Sequence, residues 1–264
     1  VSAPLPPRAA RHHSPALLPD EKFRWRSPEI SRIEAFSDAV FAFAVTLLVV
    51  SLEVPRNFEE LRHSIAGFIP FAISFGMLVW IWYTQHIFFR RYGLQDVYSI
   101  TLNLILLFVV LFYIYPLKFL FGLLVNAFSG AAVPMTLADG TAGFGLRAAG
   151  GTVEPVIAFR DISALMAIYA AGFIAIWAIF ALLNYHAYRS RQKLELTPLE
   201  AFDTMMTVRE NALVAAIGVV SLIIALTGIA PPGFAGWTYA LIGPVMGIHG
   251  YLSRKQRERT LGEG

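Results

Sequence analysis

The chain contains no cysteine. Disulfides, thiolate nucleophiles and Cys-ligated metal sites are therefore excluded. Charge is scarce as well: 15% of the 264 residues are Asp, Glu, Lys or Arg, whereas 56% are hydrophobic. A soluble domain of this length keeps its surface wet with more charge than that. Net charge is only +3 and the basic residues fall in short clusters, so nothing points to nucleic acid. Gly-x-x-x-x-Gly-Lys, His-Glu-x-x-His and Gly-x-Ser-x-Gly are all missing, which leaves an enzyme reading without residues to stand on. No cofactor is expected.

What the chain does have is long apolar runs and a mean hydropathy of +0.59. A membrane-crossing helix needs about 20 mostly apolar residues. Six candidates are present, and the pattern predicts an all-α, multi-pass membrane protein with the lipid bilayer as its main solvent. The first span begins at Ser27-Pro28-Glu29, with Ser27 as cap and Pro28 at the first helical position, and stops at Val54-Pro55. The second runs from about Leu61 to Arg90, the third from Asp96 to Val125, and the fourth from Ile162 to Tyr188. The fifth opens with Thr197-Pro198-Leu199-Glu200, a capping box with Pro at its first helical position, and runs to Ile229. After the turn at Pro231-Pro232-Gly233, the sixth covers Gly236 to Ser253.

The domain reading is a disordered tail at residues 1–26, a six-helix membrane domain at 27–253 and a basic tail at 254–264. Residues 1–26 are rich in Pro, Ala, Arg and His, and no apolar core marks them as a signal peptide. Orientation follows from short-loop Lys and Arg. Arg8, Arg11, Lys22, Arg24, Arg26, Arg90, Arg91, Arg189, Arg191, Lys193, Arg254, Lys255, Arg257 and Arg259 fall on one side, against Arg56, Arg62, Arg147 and Arg160 on the other. Both termini are thus expected in the cytoplasm, with the protein in the plasma membrane. The segment from Asn126 to Arg160, rich in Gly and Ala, exceeds a simple connection and is expected to be loosely packed.

Polar residues concentrate at the start of the first span: Arg32-Ile33-Glu34-Ala35-Phe36-Ser37-Asp38. Ionisable groups at that depth normally face protein or a water-filled cavity. Arg32 and Asp38 project in different directions on a helix, so their partners are expected on neighbouring helices, with His86 and Asn103 at matching depth. With Phe43 set at zero, Thr46 falls at about 300° and Val50 at about 340°, a narrow stripe with Ala39 nearby. Neither Arg32 nor Asp38 is expected on it. Periodicity alone is compatible with helix packing or with a pore, and a lone Thr in such a helix commonly bonds its own backbone.

Arg32-x-x-x-Phe36-Ser37-Asp38, followed by an apolar run with Thr46, resembles the signature of the transmembrane protein 175 family, the endolysosomal potassium channels and their prokaryotic relatives. Trp80, His86, Arg90-Arg91 and Asn103 fit the same style over the second and third spans. Six spans in one short chain are similar to the prokaryotic branch. The resemblance implies a homotetramer of identical subunits, with four first helices lining a central pore and K⁺ as the permeating ion. It places an apolar constriction at Phe43, a hydroxyl ring at Thr46 and a second apolar ring at Val50. The motif residues Arg32, Phe36, Ser37 and Asp38, with His86 and Asn103, read as a polar clasp that orients the first helix. Phe43 departs from the family's usual Ile or Leu. No Thr-Val-Gly-Tyr-Gly segment exists, so an ordinary carbonyl-lined filter is absent. The rival is a proton-coupled secondary transporter, for which a buried acidic or His relay is expected near the midplane. Asp38 lies near one end instead. Lys118 and His249 read as an interfacial and a packing residue.

Overall fold

The computed structural model describes residues 23–27, 29–50, 58–147, 152–229, 231 and 233–262. Helix α1 spans Arg32–Val50, α2 Phe58–Tyr92, α3 Val97–Phe128, α4 Phe159–Arg189 and α5 Pro198–Thr227. Each of the five contains a stretch long and apolar enough to cross a bilayer. The sixth expected span is broken: Phe234–Trp237 forms the short α6, Thr238–Leu241 a 3₁₀ turn, and α7 runs from Ile242 to Gly262. α7 therefore continues through residues 254–262, which were expected as a tail.

The chain is mostly helical, but not all-α. Ala132–Thr136, Ala142–Arg147 and Val153–Ala158 form a three-stranded antiparallel sheet (β1, β2, β3, in that order) between α3 and α4. Asn126–Arg160, expected to be loose, is thus largely ordered. Asp139 organises the β1–β2 turn by accepting the Thr141 backbone N–H at 3.0 Å and hydroxyl at 2.6 Å, and it pairs with Arg160 at 3.0 Å. These bonds, led by the Thr141 hydroxyl, hold its carboxyl below the usual carboxylate range.

Helix starts follow local chemistry. α1 is capped by Ser31, not Ser27. The Glu34 carboxylate accepts the Ser31 N–H at 2.9 Å, and the Ser31 hydroxyl oxygen lies 3.3 Å from the Glu34 N–H, a capping box. Ser27 instead donates its hydroxyl to the Glu29 carbonyl. The expected helix end at Val54-Pro55 lies outside the described residues. Asp96 caps α3, and Thr197 and Glu200 form the expected capping box on α5. α5 ends at Gly228, whose left-handed backbone (φ 63°) suits a residue without Cβ. The core joins the inner face of α1 to α2, α3, α4 and α5, with Leu48, Leu106, Tyr169, Phe180 and Leu183 fully enclosed.

Candidate functional site: the two faces of the first helix

α1 packs on one face only. Glu34, Ser37, Phe41, Ala44 and Leu48 are buried, occupying an arc of roughly 80° on a regular helix. On the other side Phe36 is 51% exposed, Phe43 55% and Val50 73%, and Arg32, Ala39 and Thr46 are exposed with them. These six residues share a second arc of roughly 80°, opposite the first. Arg32 therefore lies in line with Phe43 and Val50, contrary to expectation, about 20° from Phe43 by the helical repeat. Among the described residues it has no hydrogen-bond or ion-pair partner on a neighbouring helix.

The buried face is held by polar bonds at the motif. The Ser37 hydroxyl donates to the Ile33 carbonyl at 2.7 Å and accepts from the Asn103 amide of α3 at 2.9 Å. The Asn103 carbonyl oxygen in turn accepts from the Gln85 amide of α2 at 3.1 Å. Ser37, Gln85 and Asn103 are at most 1% exposed, so each bond removes a buried polar group's desolvation penalty. Asp38 accepts the Trp82 indole N–H at 2.7 Å, and the His86 ring stacks on that indole at 5.5 Å. The structure thus brings Ser37, Asp38, His86 and Asn103 to one junction of three helices. It leaves Arg32 and Phe36 outside. Gln85 and Trp82 were not foreseen, because their role depends on which helix faces meet, and periodicity does not encode that.

Two details complete the helix. Glu34, between Arg32 and Phe36, is 4% exposed, and its Oε1 has no hydrogen-bond partner. Thr46 donates its hydroxyl to the Ala42 carbonyl at 2.9 Å. That bond uses the proton and leaves the oxygen lone pairs free to accept or to meet a cation. At the end of the bundle carrying Arg90 and Arg91, Asp96 accepts from Ser99 and meets His186 at 3.1 Å. Burial pushes the Asp96 carboxyl up, but the Ser99 and His186 bonds outweigh it and hold the carboxyl below its ordinary value.

The family model for the endosomal/lysosomal potassium channel TMEM175 matches residues 32–113, from the start of α1 to the middle of α3. A protein of Marivirga tractuosa named "Potassium channel" is 38% identical over 245 residues, covering 90% of this chain and 94% of that protein. The chain belongs to the TMEM175 family. A second relative, a potassium channel of Chamaesiphon minutus, is 32% identical over 106 residues, 37% of this chain and 52% of that one. Among solved structures, a variant of the potassium channel MtTMEM175 in complex with a nanobody–MBP fusion superposes with a TM-score of 0.72 at 36% identity. That match covers 90% of this chain and 99% of that one. The similarity therefore extends well past α1–α3 to nearly the whole chain, further than the motif alone implied.

Proposed function

We propose that the chain is one subunit of a homotetrameric potassium channel of the plasma membrane, with the exposed face of α1 lining the pore. The observation that carries this reading is the division of α1. Its uncovered side combines small Ala39, the Thr46 hydroxyl and cationic Arg32, a mixture that suits a water-filled axis better than lipid. Four such stripes around an axis supply a ring of Phe43, a ring of Thr46 oxygens and a ring of Val50, with both termini cytoplasmic.

An apolar constriction gates by dewetting, since an ion crossing it sheds water and gains few ligands. The Thr46 oxygens compensate part of that loss. K⁺ is larger and more weakly hydrated than Na⁺, so it loses less on entry, and selectivity arises without a carbonyl filter. Four Phe43 rings fill more of the axis than aliphatic side chains, so conduction requires α1 to rotate or splay. The junction at Ser37, Asn103 and Gln85 holds the other face of α1 against α2 and α3, fixing which residues meet the axis.

The test is recording from purified protein in planar bilayers under a KCl gradient. The expected result is a non-saturating current reversing close to the K⁺ equilibrium potential. Saturating transport obligatorily coupled to protons replaces the channel with the secondary transporter.

A further inference from the structure

We infer that residues 23–27 form a cytoplasmic latch that restrains α1, with Arg26 and Glu200 as its bolt. Residues 23–26 were expected to be part of a free tail, yet Phe23 is 4% exposed, edge-on to the Tyr92 ring at 5.6 Å. The Arg26 and Ser27 backbone N–H groups donate to the Arg90 carbonyl at 3.2 and 3.4 Å, and the Arg90 guanidinium lies 5.0 Å from the Trp25 ring. Gly93 follows at the α2–α3 corner with φ +60°, and a Cβ there would lie 3.4 Å from the Arg26 carbonyl oxygen. The strap therefore runs against backbone at its closest approach.

The bolt crosses to the other half of the bundle. Arg26 Nη2 lies 2.6 Å from Glu200 Oε2 and Nη1 3.2 Å from Oε1, a two-pronged pair whose side chains are 9% and 3% exposed. Arg26 Nε also donates to the Leu194 carbonyl at 2.7 Å, and Nη2 to that of Glu195 at 3.2 Å. Glu200 further accepts the Arg24 backbone N–H at 2.9 Å while serving the α5 capping box. One side chain thus ties the chain just before α1 to the α4–α5 turn, and only residues 27–31 separate Arg26 from α1.

This inference rests on α1 lining the pore. If conduction requires α1 to rotate or splay, an anchor six residues before its start opposes that motion. Releasing the anchor favours the open state. A salt bridge this enclosed is costly to break from one side, because the remaining charge stays buried, so it suits a two-position device better than an exposed pair.

The absence of cysteine permits a clean test. Arg24 and Glu195 form an exposed ion pair at 3.6 Å across the strap and the α4–α5 turn. A channel carrying Arg24→Cys and Glu195→Cys has only those two thiols in each subunit. A bis-methanethiosulfonate reagent applied to the cytoplasmic face links them, and dithiothreitol reverses the link in the same folded protein. Linked channels are expected to open at least threefold less often than after reduction, with unit conductance and reversal potential unchanged. Arg26→Gln is expected to open at least threefold more often. Open probability that ignores the cross-link, or that falls in Arg26→Gln, overturns the latch. Failure of the pore reading shows elsewhere, as a unit conductance unaltered by Phe43→Ala.

Discussion

α1 and α4 are both apolar and helical, but they are used differently. In its most apolar stretch α4 buries 44% of its residues within the subunit, against 28% for α1. The buried part of α4 includes large side chains along its whole length: Met166, Tyr169, Phe173, Trp177, Phe180 and Leu183. The buried face of α1 has only five residues, of which Ser37 and Ala44 are small, and its polar bonds sit near one end. On the proposed reading, that difference separates scaffold from working part. α4 and its neighbours set the shape of the subunit, and α1 is seated firmly enough to present its bare side.

If that division is right, substitutions in the scaffold should damage stability and substitutions on the bare face should alter current. The largest stability effect is expected at Gly172 in α4. A Cβ there would fall 2.3 Å from a Tyr113 ring atom, and that ring is pinned by its hydroxyl's bond to the Tyr169 carbonyl. Gly172→Val should cost roughly 3 kcal/mol through overpacking, read as a lower melting temperature in detergent. Asn103→Leu strips partners from buried Gln85 and Ser37 and should cost about 2 kcal/mol. Surviving channels should keep their unit conductance, and a changed ion preference in stable tetramers would move the junction into the pore.

Smaller effects should follow at the edges of the scaffold. Asp96→Ala removes the α3 cap and should cost about 1 kcal/mol near neutral pH. Because the folded carboxyl is held below its ordinary value, its contribution is present above about pH 4 and disappears as pH falls through the folded value. The stability gap between parent and variant should accordingly close in acid. Thr46→Val, on the bare face, should change the melting point by the equivalent of less than roughly 0.5 kcal/mol. It should nevertheless shift the reversal potential toward zero under opposed K⁺ and Na⁺ gradients.

Parts of the fold and of the α1 junction were legible in the sequence. The Thr197–Glu200 box was visible because capping is encoded by neighbours in the chain, whereas Asp96 marked only the start of the third span and its capping role comes from the structure. The Ser31–Glu34 box has the same spacing, but Ser27-Pro28 offers a competing helix start four residues earlier. Arg32 could have been placed on the Phe43 stripe by the 100° rule, since eleven residues return almost to the same direction. The sheet at 132–158 was not legible. Its strands carry Gly143, Gly145, Pro134 and Pro155 in place of the alternating β-branched pattern that marks a strand, and cross-strand pairing holds them. The Trp82 and Gln85 contacts depend on how α2 is turned against α1 and α3, which only tertiary packing decides.

The central claim is that the bare face of α1 meets the permeating ion, and Phe43→Ala tests it most directly. Removing four rings from a constriction should raise unit conductance several-fold. It should also draw the reversal potential toward zero, because a wetter passage no longer charges Na⁺ the larger dehydration cost. The truncation leaves no cavity within the subunit, since the ring is 55% exposed there, so monodisperse protein is expected. Well-assembled Phe43→Ala channels with parental unit conductance and reversal potential would contradict the account and remove α1 from the pore.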